Sequence, residues 1–293
     1  MAISIREAVR FTAEAVVGTF DALATNVHHI ALTAGNAFPN RPAPRPFVLR
    51  DAGSSNRRVQ TGFGSVGTDL KLKTPLWYEP AEILPFFCTP TGTPLELPSF
   101  TIDHYQMLEG SGTCIYERYL GCRGETLSLA GDNSPQGCVV MADMTFAFLS
   151  YSTAITVTDF PEPTLANYPW PTSIALMQHG GGNLSLKASS RTGWNKFNIN
   201  YKNILAKVYD ESMYPQVISW RGRDVDFGFT LRHKIRADRD DYLAMTAHGV
   251  TFALTDGATS LAWDFKSQNF LSGLADDTPL GDGHRQGMGY GGS

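Results

Sequence analysis

Apolar residues in this chain recur at every second position, in short runs divided by proline and glycine. That spacing fits a strand with one buried face and does not fit a helix, whose side chains return to one face only every 3.6 residues. In Thr68–Lys73 it turns Leu70 and Leu72 inward. Phe100–Tyr105, Glu125–Leu129, Leu184–Leu186, Phe197–Tyr201, Gln216–Ile218 and Arg223–Arg232 alternate in the same way. Val139–Leu149 carries Val140, Ala142, Met144, Phe146 and Phe148 on its more apolar face, which is the expected core face. Asp143 falls on the other face, toward solvent. Val250–Leu254, the turn Thr255-Asp256-Gly257 and Thr259–Phe265 read as a hairpin. Two segments read as helical. Pro80–Phe87 is opened by one proline and interrupted by Pro85. Asp238–Ala247 has an acidic first turn, suited to the positive end of a helix dipole, and Gly249 closes it. Seventeen prolines and 28 glycines supply the turns that such a mainly β chain needs.

At 293 residues the chain holds one large domain or two smaller ones. Residues 161–171, PEPTLANYPWP, carry four prolines and read as a linker between 1–160 and 172–270. The first unit includes an N-terminal arm, a proline-rich bend or loop at 39–46 and a polar loop at 51–58. Residues 271–293 are Gly-rich, show no hydrophobic period and read as a C-terminal tail. The halves share an order of elements. Gly67-Thr68-Asp69 and Gly222-Arg223-Asp224 each open an alternating run, a short helical segment follows, and then a strand pair: Leu95–Tyr105 in one half, Val250–Phe265 in the other.

Chemistry-bearing patterns fail on context. Gly62-Phe63-Gly64-Ser65-Val66-Gly67 matches GxGxxG, but strand alternation follows it where a phosphate site needs a helix N-terminus. It reads as a loop entering a strand. Gly180-Gly181-Gly182 lacks the Lys-Ser/Thr of a phosphate loop. His28 and His29 are neighbours, so on a strand they face opposite ways, and His179, His233, His248 and His284 are scattered. Asp238, Asp240 and Asp241 sit where a helix start already explains them. Cys88, Cys114, Cys122 and Cys138 have neither CxxC nor zinc-finger spacing and read as reduced structural thiols. No nucleophile elbow or metalloprotease string is present, so no catalytic, cofactor-binding or metal residue is assigned and no enzyme is expected. The net charge of −4 argues against a phosphate-binding surface. Charged residues make up 18%, against about 25% in ordinary soluble chains, which points to surface hidden in partners. No apolar run is long enough for a membrane helix, and Arg6, Glu7, Arg10 and Glu14 interrupt any leader-like stretch, so no membrane insertion or export is expected.

Three stretches carry a family resemblance. The first is Phe63-Gly64-Ser65-Val66-Gly67-Thr68-Asp69-Leu70-Lys71-Leu72, leading through Trp77 to PAEILPFF. The second is Ser99–Ile102, then Tyr119-Leu120-Gly121-Cys122-Arg123-Gly124-Glu125-Thr126-Leu127-Ser128-Leu129, then Val139–Phe148. The third is Trp220-Arg221-Gly222-Arg223-Asp224-Val225-Asp226-Phe227 with the helix and hairpin after it. Together they resemble the major tail tube proteins of long-tailed bacteriophages, in the larger form with two fused tube-type halves. The resemblance spans most of residues 45–270. It implies two tandem β-sandwich or β-barrel domains, each with a short flanking α-helix, polymerising into stacked rings that form the conduit for the genome. It also implies tape-measure, tail-terminator and tail-tip partners, transit of DNA without specific binding, no cofactor, and a place in the virion tail after assembly in the host cytoplasm. A sheathless, siphovirus-type tail fits the two-domain length. Two duplicated halves favour a ring of three chains with pseudo-sixfold symmetry, six chains being the alternative. The residues that line the lumen or bridge rings are not assigned.

Two other readings remain at this stage. One is a related virion ring component, a tail terminator or baseplate protein. The other is a carbohydrate-binding β-sandwich with Trp77, Tyr78, Trp170, Trp194 and Trp220 as its aromatic platform.

Overall fold

The computed structural model describes residues 7–21, 27–30, 44–50, 59–66, 69–76, 84–88, 96–107, 114–132, 140–153, 184–186, 189–191, 194–210, 212–232, 240, 243–255, 260–275 and 287–292. The chain is mainly β, and its strand pairs are antiparallel. The first-half strands are β1 (Glu7–Ala13), β2 (Val27–Ile30), β3 (Pro44–Arg50), β4 (Val59–Val66), β5 (Asp69–Pro75), β6 (Phe100–Met107), β7 (Cys114–Asp132), β8 (Met141–Ala147) and β9 (Ser150–Ser152). The second-half strands are β10 (Leu184–Leu186), β11 (Ser189–Arg191), β12 (Trp194–Val208), β13 (Val217–Arg232), β14 (His248–Thr255), β15 (Ser260–Ala275) and β16 (Gly287–Gly292). One helical turn, α1 (Pro85–Cys88), precedes β6.

Two long strands each serve two sheets. The first part of β7 pairs with β6 and β9, and its second part, Arg123–Asp132, pairs with β8 and β12. Gly121 makes the bend between them at φ 64°, a left-handed conformation that favours glycine. A Cβ on it would also meet Leu149 Cδ1 at 2.5 Å. In the second half β15 divides likewise: Ser260–Phe265 pairs with β14 and Phe270–Ala275 with β16.

The pairing order is the same in both halves. One path runs β2-β1-β6-β7-β8-β5 and the other β11-β10-β14-β15-β16-β13. The strand pair after α1 is thus β6 and β7, so the first-half member of the expected repeat lies later than Leu95–Tyr105.

One core runs through both halves. Leu70, Leu72, Val140, Ala142, Met144, Phe146 and Phe148 are all buried, and Asp143 is exposed, so the expected core faces of β5 and β8 hold. Phe146 lies 5.3–5.6 Å, ring to ring, from Phe87, Phe100 and Phe11. In the second half Phe252 packs on Phe197 at 4.8 Å and on Phe229 at 4.9 Å.

Four expectations need correction. Gly62–Val66 of the GxGxxG string lie in β4, a strand and not a loop. The proline-rich bend gives way to strand at Pro44, and a register slip between Pro44 and Pro46 accommodates the missing donors. The Gly-rich tail does not stand apart: β15 runs to Ala275, and Gly287–Gly292 forms β16 between β15 and β13. Glycine hid that strand, because Gly287, Gly289 and Gly291 occupy one face and carry no apolar side chain to reveal the period. The second helical segment ends sooner than Gly249. Met245 adopts φ 47°, which no helix continues through. The expected linker 161–171 and the first helical residues 80–83 lie outside the described residues.

Candidate functional site

The two halves meet where β12 lies along β7. Lys196–Lys202 pair with Asp132–Thr126, so a continuous sheet runs β5-β8-β7-β12-β13-β16, ending on Phe270–Ala275 of β15. Its inner face holds Leu70, Leu72, Met144, Phe146, Leu127, Leu129, Phe197, Ile199, Phe227 and Phe229, all buried. The outer face is polar across the joint. One row of paired residues reads Lys73, Asp143, Ser128, Asn200, Asp226, and the next Lys71, Thr145, Thr126, Lys202, Asp224. Ser128 Oγ donates to Asn200 Oδ1 at 2.6 Å, and Asn200 Nδ2 donates to Asp226 Oδ2 at 2.9 Å. Lysine and aspartate alternate over this wall, so it carries no field of one sign.

A polar clamp locks the joint from the core side. Asn203 Nδ2 donates to the carbonyls of Phe87 (3.1 Å) and Gly124 (2.9 Å). Its Oδ1 accepts from Arg223 Nε (2.9 Å) and Trp220 Nε1 (3.3 Å). The Arg223 guanidinium reaches the carbonyls of Cys88 and Phe87 at 2.9 and 2.8 Å. It thereby satisfies the C-terminal carbonyls of α1, which a helix leaves open. Glu96 accepts from the Trp220 backbone N–H at 3.0 Å and pairs with Arg123. At Gly124 a Cβ would stand 2.4 Å from Phe87 Cδ1, so α1 rests directly on β7. Burial pushes the Cys88 thiol up to about 11, against smaller lowering effects of Arg223 and Tyr201. A protonated thiol is a packing group and not a nucleophile.

A second network ties β1 to β6 and β7. His104, 1% exposed, has Nδ1 2.9 Å from Glu117 Oε2 and Nε2 2.9 Å from Glu7 Oε1. Burial alone lowers its pKa, but the hydrogen bonds and charges of Glu117 and Glu7 together outweigh this and raise it. Tyr151 donates to the same Glu117 at 2.9 Å. On the opposite face Asp103 receives Arg10 and Arg118, and Phe20 lies 3.4 Å from the Arg118 guanidinium carbon. The alternation of β6 sets His104 on one face with Phe100 and Ile102, but no spacing in the sequence marks it, because its partners Glu7 and Glu117 come from β1 and β7.

Beyond the joint, β12 and β13 continue as a two-stranded arm. Its outer face exposes Ile204, Val208 and Val217, and Met213 is exposed in the turn between the strands, whereas Ile218 is buried on the other face. Of the five aromatic residues weighed as a sugar platform, Trp77, Tyr78 and Trp170 lie outside the described residues, and Trp220 is engaged in the clamp. Of the cysteines, Cys88, Cys114 and Cys122 are free thiols, and Cys138 lies outside the described residues. His28 and His29 occupy successive positions of β2. Among the described residues no group of three or more His, Cys, Asp or Glu is placed to hold a metal. What the geometry builds is a joint between sheets with a polar wall.

A family model described as phage tail tube protein matches residues 5–286. No curated protein matches the chain.

Proposed function

Since the chain belongs to the phage tail tube protein family, a structural component of the virion tail that self-assembles into a tube, we propose that it forms stacked rings of three chains through which the genome is delivered. The observation that carries this reading is the continuous sheet with one buried face and one polar face. In a ring the polar face is the lumen wall, lined by Lys71, Lys73, Asp143, Lys202, Asp224 and Asp226. Interspersed charges of both signs fit passage without retention, because a basic wall would bind phosphates by releasing their counterions. Each half is one tube-type unit, residues 1–160 and residues 172 onward with β15 and β16 included. The first half gives β5, β8 and β7 to the wall and the second β12, β13, β16 and β15. Three chains then supply roughly 21 strands, and at about 4.8 Å spacing and about 45° tilt the circumference is near 140 Å. The backbone diameter is about 45 Å, and side chains leave about 35 Å, room for a duplex. Three halves would close the bore to about 25 Å between backbones, and side chains would block it. The ring assembles in the host cytoplasm and meets tape-measure, terminator and tail-tip proteins at its ends.

Electron microscopy of the purified chain tests the reading. Long tubes are expected, and a map with threefold symmetry separates the two halves while sixfold averaging blurs them. Six complete chains per ring would refute the three-chain arrangement. Short single rings would point instead to a terminator or baseplate component.

A further inference from the structure

His104 has a carboxylate at each ring nitrogen. Nδ1 stands 2.9 Å from Glu117 Oε2, and Nε2 stands 2.9 Å from Glu7 Oε1. A neutral imidazole carries one N–H and can serve only one of them, so the two bonds together need a ring with both protons. The carboxylates differ in how they can do without it. The Glu117 side chain is 2% exposed, and it also has the Tyr151 hydroxyl at 2.9 Å and the Tyr119 hydroxyl at 3.5 Å. The Glu7 side chain is 29% exposed and belongs to the first residue of β1. Val9 of β1 lies opposite His104 in register, and on β2 His28 and His29 stand opposite Phe11 and Arg10. Asp103, with Arg10 and Arg118, occupies the other face of β6.

We propose that His104 is a proton-operated latch on the first strand: the doubly protonated ring holds the Glu7 end of β1 on the sheet, and loss of the Nε2 proton lets that end turn out to solvent. Burial sets which bond gives way. Nδ1–H stays on Glu117, because stripping a donor from a buried carboxylate costs more than stripping one from a carboxylate in contact with water. Nε2 then presents a lone pair to Glu7 Oε1, acceptor against acceptor, and Glu7 can move into water. The change stops there. Ala8, Val9 and Phe11 are at most 1% exposed, and Arg10 remains on Asp103 through Nε and Nη2, so the strand keeps its place between β2 and β6. The chain ahead of Glu7 thus passes between a held and a released state with the sheet intact. The ring titrates above its ordinary value of 6.5: burial lowers it, and the hydrogen bonds and charges of Glu117 and Glu7 together raise it by more. The held state is therefore full below 6.5 and is lost as pH rises through the folded value. The latch belongs to the single chain and is independent of the number of chains in a ring.

Trypsin cleavage after Arg6 in the full chain reads the latch, since Glu7 must leave the sheet before a protease can hold that bond. At each pH the rate is divided by that of a free peptide of residues 1–13, which removes the enzyme's own pH dependence. Between about pH 6 and about pH 9.5 the ratio should rise at least tenfold, while the bond after Arg10 stays uncut. Glu7→Gln gives a second arm. Its amide accepts from the protonated ring and, turned over, donates to the neutral one, so both states stay latched. Measured against a peptide with the same change, this variant should keep a low ratio at every pH. A parent ratio that stays level over the range would overturn the latch. A Glu7→Gln chain with the parent's slope would overturn it too, as would cleavage after Arg10 in step with Arg6, which would mean that β1 leaves as a whole. If Glu7→Gln does not fold, the two cleavage rates of the parent chain decide alone.

Discussion

Gly121 and Gly124 lie three residues apart, yet substitution reveals different constraints. Gly121→Ala meets both a left-handed backbone and Leu149, and it should cost about 2–3 kcal/mol in denaturant unfolding. Gly124→Ala meets only the Phe87 ring, so it should cost about 1–3 kcal/mol and shift α1. His104 makes stability depend on pH. Its folded pKa lies above the unfolded value of 6.5, so its contribution is full below 6.5 and fades as pH rises through the folded value. His104→Gln should flatten that slope and, below pH 6.5, cost roughly 3 kcal/mol by stranding the buried Glu117. Thermal melts at stepped pH check both statements. If the parent grew more stable above that pH, the imidazolium assignment would be wrong. The sequence showed which face His104 occupies but not its partners. Glu7 stands 97 residues away, and only the β1·β6 register brings it within reach.

Alternation made most strands legible because side chains report the period. Phe146→Asp should abolish folding, at a cost of several kcal/mol, since three aromatic rings surround that position. On the arm, Val217→Asp should leave the fold intact and Ile218→Asp should not, because these neighbours are 49% and 2% exposed. Circular dichroism of the pair reads the difference directly. β16 escaped because four of its six positions are glycine and carry no side chain. α1 is a single turn, and its carbonyls are satisfied by Arg223 from 135 residues away, so local propensity had little to report.

For the whole molecule, the shared order of elements was enough to suggest two halves, but the Gly-x-Asp pair was not its cause: Gly222 lies within β13 and opens no strand, and Gly67 lies outside the described residues. The joint was hidden. Nothing near Lys196 in the sequence says that it will lie opposite Asp132. Arg223→Ala removes donors to Asn203 and to two α1 carbonyls, and it should destabilise the chain by about 2–3 kcal/mol. Tubes of this variant should lose their form at lower temperature, and a melting curve followed by light scattering would show it. Because β7·β12 is made within one polypeptide, half of the joints in the proposed three-chain ring would be independent of concentration. Six separate bodies meeting would surrender translational and rotational freedom five times, at about 4–15 kcal/mol each, and three chains surrender it twice. Nucleation of such a ring would be a low-order reaction, and rings would begin to form while newly made protein is still scarce.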